Sequence, residues 1–142
     1  MSASGTNKKK ILNDPVYGFI SLPGALFFDI VEHRYFQRLR RIKQLGLTHL
    51  VYPGALHTRF HHAIGALHLM QQAIHILRSK GHSITEEEAE GVSLAILLHD
   101  IGHGPFSHAL ENSIVAGTHH EELSDLFMER LDSYTQGRLA LA

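Results

Sequence analysis

Residues 99–108 hold the groups in this sequence best suited to chemistry: His99, Asp100, His103 and His108 in a glycine-containing run. The run follows an apolar stretch at 92–98 that reads as a buried helix. Asp100 would then lie at the negative end of the helix dipole, where a carboxylate is disfavoured. A bound divalent cation would neutralise it, since imidazole and carboxylate both ligate such ions. The alternatives are that Asp100 pairs with a nearby arginine or caps the next helix.

Histidine is the compositional outlier, with 13 in 142 residues, and helical spacing separates those on the long helix predicted at 58–80. One stripe is polar and is expected to face water: His61, Gly65, His68, Gln72, His75 and Ser79. Another stripe is apolar and is expected to face inward: His62, Ala66, Leu69, Ala73 and Ile76. His62 is therefore the one histidine of this helix expected to point inward, either as a satisfied core residue or as a ligand. His57 and His61 also have ligand spacing, but His57 falls at the helix start.

Composition excludes several classes of protein. The 13 Lys and Arg against 14 Asp and Glu give a net charge of −1, so nucleic-acid binding is not indicated. The absence of cysteine excludes disulfides and thiolate metal sites. No stretch is apolar for long enough to cross a bilayer, and the polar start has no secretory signal. We therefore expect a cytoplasmic protein without a membrane partner.

The elements that must position these groups are predicted to be helical. Residues 1–12 read as a flexible tail before one domain at 13–142, with a turn at 13–18 and an extended piece at 19–22. Helices are predicted at 26–31, 35–45 and 58–80. A fourth helix begins at a capping box at 85–88 and runs to about 100, a fifth covers 104–115, and a sixth follows a second capping box at 118–121. Without convincing strand pairing, the fold class is all-α, a cluster of about six helices.

Three segments together carry a family resemblance: residues 36–45, 53–62 and 99–108. The sequence over about 13–131 resembles the HD-domain metal-dependent phosphohydrolases, in the dNTP triphosphohydrolase branch. The resemblance implies one divalent ion (Mn, Fe, Mg, Ni or Zn) held by His62, His99, Asp100 and a later Asp. That later Asp has no match here, which favours the N-terminal part of a longer, C-terminally incomplete catalytic domain.

The resemblance also implies an activity. Water would attack the α-phosphate of a dNTP, releasing a deoxynucleoside and triphosphate. It assigns phosphate contact and proton transfer to His103, His108 and His120, and selection of the sugar to Gln44 and Leu45. Arg59 lies one helical turn before His62 and is expected to bind phosphate, because arginine suits bidentate phosphate contact. Without the resemblance, His108 reads as a helix-start residue bonded to backbone, and the pair at 44–45 as an ordinary helix end.

The basic stretch Arg34, Arg38, Arg40, Arg41 and Lys43 reads as a solvated helix face. A vertebrate member of the branch binds a guanine-nucleotide activator here and assembles into an oligomer. The matching positions are Glu32, Gln37 and Arg40, with Glu in place of Asp. Two other functions remain as alternatives to dNTP hydrolysis by the whole domain. One is an HD hydrolase of a mono-, cyclic or guanosine polyphosphate, and the other is a non-catalytic nucleotide- or nucleic-acid-binding module.

Overall fold

The computed structural model describes residues 10–106 and 120–139. Its five α-helices there confirm the predicted helical fold class. The helices are α1 (Ala25–Glu32), α2 (Arg34–Gln37), α3 (Arg59–Ser79), α4 (Glu86–Leu98) and α5 (His120–Tyr134). Short 3₁₀ helices cover Arg38–Arg41 and Thr48–Leu50. The helix predicted at 104–115 lies mostly outside the described residues.

An antiparallel hairpin precedes the helices, so the expectation of no strand pairing was wrong. Strand β1 (Ile11–Asp14) pairs with β2 (Gly18–Ser21). The Asp14 carboxylate accepts hydrogen bonds from the Val16 and Tyr17 amides at 2.8 and 3.0 Å, and Gly18 has a φ of +75°. These features close the turn. Residues 11 and 12, assigned to the flexible tail, therefore lie in a strand.

The capping box before α4 was predicted correctly. The Thr85 hydroxyl accepts from the Glu88 amide at 3.1 Å, and the Glu88 carboxylate accepts from the Thr85 amide at 2.8 Å. A similar box starts α3, where the His61 side chain accepts from the Thr58 amide. Residues 80–85 connect α3 to α4, so the start of α3 lies beside the end of α4.

The helix predicted at 35–45 is interrupted. The α-helix ends at Gln37, a 3₁₀ turn follows, and Ile42 is extended. The Ile42 carbonyl then accepts from the Arg59 amide at 2.9 Å, and the Gln44 amide donates to the His57 carbonyl at 3.0 Å. Backbone pairing with the segment that enters α3 thus replaces the last helical turns.

The buried face of α3 is also not the predicted one. Leu69 and Ile76 are 47% and 48% exposed, while Gly65 of the supposed polar stripe is buried. The buried residues are Arg59, Phe60, Ala63, Ile64, Gly65, Leu67 and Ile74. Two roughly opposite sides of α3 carry apolar residues, and the side with Phe60 and Ile64 joins the core.

His33 begins α2 as its N-cap, and its Nδ1 accepts from the Tyr35 amide at 3.3 Å. Burial first, and then the neighbouring Arg34, lower the pKa of His33. As the pH falls, the unfolded chain therefore protonates His33 at a higher pH than the folded chain does. We expect stability to fall as the pH drops below about 6.5, the unfolded value, towards the lower folded pKa.

Urea unfolding at several pH values tests this expectation. His33→Asn keeps a side-chain acceptor at the N-cap and removes the titrating ring, so its stability should depend less on pH. An unchanged pH slope in His33→Asn would show that other groups set the dependence.

Candidate functional site

The start of α3 and the residues after α4 bring three candidate ligands together. His62 Nε2 lies 3.1 Å from His99 Nε2, and it lies 3.7 Å from one carboxylate oxygen of Asp100. The other carboxylate oxygen is 3.6 Å from His99 Nε2. One ligand atom from each residue lies within 4.8 Å of the others. These three residues form a group that could hold a metal ion.

A buried half of the site lies behind this group. Arg59 Nη1 is 2.6 Å from one oxygen of Asp100, and His103 Nε2 is 3.3 Å from the other. The side chains of Arg59, His103 and Asp100 are 5%, 8% and 10% exposed. Those of His62 and His99 are 40% and 35% exposed. The carboxylate is thus enclosed on one side and faces two solvent-accessible imidazoles on the other.

One hydrogen bond orients the His99 ring. His99 Nδ1 lies 2.6 Å from the Ile96 carbonyl, and a carbonyl oxygen only accepts, so Nδ1 carries the proton. In the neutral ring this leaves the Nε2 lone pair directed at His62 and Asp100. Metal-ligating histidines are commonly held by such a bond from the second nitrogen.

The charges favour an ionised carboxylate and a neutral His62. Burial alone raises the pKa of Asp100, but His99, Arg59, His103 and His62 together bring it below its usual value. Burial lowers the pKa of His62, and His99 and Arg59 lower it further, while Asp100 acts in the opposite direction. Both groups are therefore in the ligating form at neutral pH.

The donor set fits a divalent transition metal. Two imidazole nitrogens and one carboxylate are ligands that Zn²⁺, Mn²⁺ and Fe²⁺ accept. Ligand atoms about 2.0–2.2 Å from a shared ion lie about 3–4 Å apart. The two imidazole nitrogens are 3.1 Å apart, and each lies 3.6 or 3.7 Å from a different oxygen of the Asp100 carboxylate. Three protein ligands leave positions for water or substrate.

The same contacts bear on the alternative in which Asp100 pairs with a nearby arginine. Arg59 does pair with the buried carboxylate, so the expected arginine partner is present. The ion pair and the candidate ligand group share the same carboxylate. His62, predicted to point inward, instead lies at the exposed edge of the site.

The remaining candidate residues are spread over the described chain. Gln44 lies beside the entry to α3, and Leu45 is 48% exposed. Gln37 Oε1 accepts from Arg40 Nε at 2.8 Å, and Glu32 pairs with Lys10. His108 and the side chain of His120 lie outside the described residues.

The sequence did not predict the contacts of Arg38. Its basic neighbours indicate a solvated helix face, but its guanidinium donates to the His103 carbonyl at 2.9 Å. No local pattern distinguishes it from the neighbouring arginines, because its partner is 65 positions away.

Comparison with known proteins gives a consistent result. Residues 59–134 match the family model described as HD domain. The deoxynucleoside triphosphate triphosphohydrolase SAMHD1 homolog of Dictyostelium discoideum is 41% identical over an alignment of 128 positions, which covers 85% of this chain and 25% of that protein. The human deoxynucleoside triphosphate triphosphohydrolase SAMHD1 is 43% identical over 108 residues, 75% of this chain and 17% of that protein.

A solved structure is also similar. The crystal structure of a phosphohydrolase from Bacteroides thetaiotaomicron matches with a TM-score of 0.89 and 58% sequence identity. The match covers 94% of this chain and 33% of that one. The chain thus spans about a third of that structure and a quarter or less of the two curated relatives.

Among the described residues, none of the helices has both the length and the apolar character needed to span a bilayer.

Proposed function

This chain belongs to the HD domain family, and from that premise we propose that it is a metal-dependent phosphohydrolase that splits a dNTP into a deoxynucleoside and triphosphate. The supporting observation is the convergence of His62, His99 and Asp100, with His103 beside the same carboxylate. The relatives named as dNTP triphosphohydrolases point to the substrate class.

The proposed ligands are His62, His99 and Asp100. The family resemblance implies a fourth ligand, a later Asp, which has no match in this sequence. A divalent ion bound there would polarise a phosphoryl oxygen and lower the pKa of a water towards about 7 in the most favourable zinc sites. Arg59, 2.6 Å from Asp100, favours the ionised carboxylate that ligation requires. Arg59 is thus proposed to support the carboxylate, in addition to the phosphate contact expected from its position and residue type.

His103 is proposed to contact the phosphate and move a proton. Its ring is 8% exposed and Nε2 lies 3.3 Å from Asp100, so the ring is held in the buried half of the site. A positioned acid or base typically contributes about 10²–10⁴-fold to a rate. His108 and His120 complete the proposed set of proton-transfer and phosphate-contacting residues.

Gln44 and Leu45 are proposed to select the sugar. The Gln44 Oε1 atom is buried, and it has no hydrogen-bond partner among the described residues. A substrate hydroxyl donating to this oxygen would satisfy it. A site built around a hydroxyl discriminates strongly against analogues that cannot occupy it.

A guanine-nucleotide activator is proposed at Glu32, Gln37 and Arg40. Arg40 lies 3.6 Å above the Phe60 ring and donates to Gln37. Burial lowers the pKa of Lys10, and the nearby Arg40 lowers it further, so two cations lie close together at this surface. An anionic nucleotide would relieve their repulsion. Assembly into a homo-oligomer and a cytoplasmic location are part of the same proposal.

A product assay tests the activity. The chain is incubated with Mn²⁺ and each dNTP or rNTP, and the products are separated by anion-exchange chromatography. We expect triphosphate and deoxynucleoside from dNTPs, and Gln44→Ala should reduce the preference for dNTPs over rNTPs by about tenfold or more.

Gln72→Ala, on the exposed part of α3, is the matched control and should keep the preference. Release of orthophosphate or pyrophosphate would instead indicate a different HD hydrolase. Nucleotide binding without hydrolysis that survives His99→Ala and falls steeply with salt would indicate a binding module.

A further inference from the structure

One guanidinium group holds both ends of the turn that follows Asp100. Arg38 Nη1 donates to the His103 carbonyl at 2.9 Å, and Arg38 Nη2 donates to the Ile101 carbonyl. These bonds connect the 3₁₀ helix Arg38–Arg41 to a turn more than 60 positions later. The turn is therefore held by tertiary contacts as well as by its own backbone.

Helix α5 holds the middle of the same turn. The Gly102 amide donates to the Ser124 hydroxyl at 3.1 Å. The Arg38 guanidinium also lies over the Phe127 ring, 4.4 Å from its centroid. Side chains from two other elements thus bind residues 101, 102 and 103 in succession.

Arginine suits this position for a geometric reason. Its planar fork carries several donors in fixed directions, so two carbonyls on one side of a turn can be bound together, and its face packs on an aromatic ring. Lysine carries the same charge as a single point on a flexible stem. A partly buried cation also needs such partners to offset its desolvation.

We propose that Arg38 is a positioning residue, which holds the turn 101–103 so that Asp100 and His103 face each other across the site. Asp100 directly precedes the turn and His103 ends it, and their side chains are 3.3 Å apart in the buried half of the site. The consequence for metal affinity rests on the proposed function, whereas the positioning itself does not.

Hydrogen exchange and histidine NMR test the positioning in the metal-free chain. In Arg38→Lys we expect the amides of residues 101–103 to exchange about tenfold faster or more, and the His103 ring signals to shift. Core amides at 63–67 should keep their protection. Arg41→Lys, on an exposed neighbouring arginine, should change none of these, and Ser124→Ala should affect mainly the Gly102 amide.

Metal titration measures the consequence. We expect Arg38→Lys to bind Mn²⁺ about tenfold more weakly well below its unfolding temperature, as for other residues that support metal ligands. Equal loss of protection at 101–103 and at 63–67 would overturn the proposal, because Arg38 would then stabilise only the whole fold. Unchanged His103 ring signals in Arg38→Lys would also overturn the proposal. A wild-type chain that binds no Mn²⁺ would count against the metal site and leave the exchange and NMR results to decide on Arg38.

Discussion

His62→Ala is expected to weaken Mn²⁺ binding by more than about 100-fold, since even residues that only support metal ligands contribute about 10–100-fold. His62 Nε2 is 3.1 Å from His99 Nε2 and 3.7 Å from Asp100, so its loss removes one of three converging donors. Isothermal titration with Mn²⁺ at neutral pH, where the lowered pKa keeps His62 neutral, measures the change.

The matched control for this variant is His75→Ala. His75 is exposed on the same helix, and the substitution should leave the affinity unchanged. His61→Ala is a poorer control, because His61 Nδ1 accepts from the Thr58 amide at 3.3 Å in the cap of α3. Retained affinity in His62→Ala would show that this residue is not a ligand.

Arg59→Met is expected to destabilise the metal-free chain by about 3 kcal/mol, because breaking a buried ion pair typically costs about 3–5 kcal/mol. Only 5% of the Arg59 side chain and 10% of the Asp100 side chain are exposed, so the carboxylate would be left buried with imidazoles alone. The melting temperature should fall by roughly 10 °C. Added Mn²⁺ should recover part of the loss, since the ion replaces the missing positive charge.

Two further variants make this test specific. Arg59→Met combined with Asp100→Leu should lose less stability than the two single changes together, by about 1 kcal/mol or more, because the double variant leaves no buried charge of this pair. Arg138→Met breaks a more exposed pair with Asp29, 3.8 Å apart, and should cost less than about 1 kcal/mol. Equal effects of Arg59→Met and Arg138→Met would show that burial adds nothing to the Arg59 pair.

Features that depend on neighbours in the sequence were predicted well. The capping box of Thr85 and Glu88 and the bounds of α3 follow from contacts spanning a few residues. The helix predicted at 26–31 also forms, as part of α1. Helix starts and stops are local events, so the sequence contains their signals.

Features that depend on distant partners were predicted poorly. The helix at 35–45 is broken because Ile42 and Gln44 pair with the segment entering α3. The buried face of α3 was wrong because apolar residues occupy two sides, and the choice between them depends on the core that Phe60 and Ile64 join. Arg38 was misplaced for the same reason.

By itself the sequence determined the helical class, the capping box before α4 and the three segments that carry the family resemblance; the second capping box, at 118–121, lies mostly outside the described residues. It also identified His62, His99 and Asp100 as the residues to bring together. Only the tertiary structure decided that Arg59 and His103 enclose Asp100, that His62 lies at the exposed edge, and that Arg38 holds the turn. The physical reason is separation along the chain: these contacts join residues 37 to 65 positions apart, except between the near neighbours Asp100 and His103, and no local periodicity encodes them.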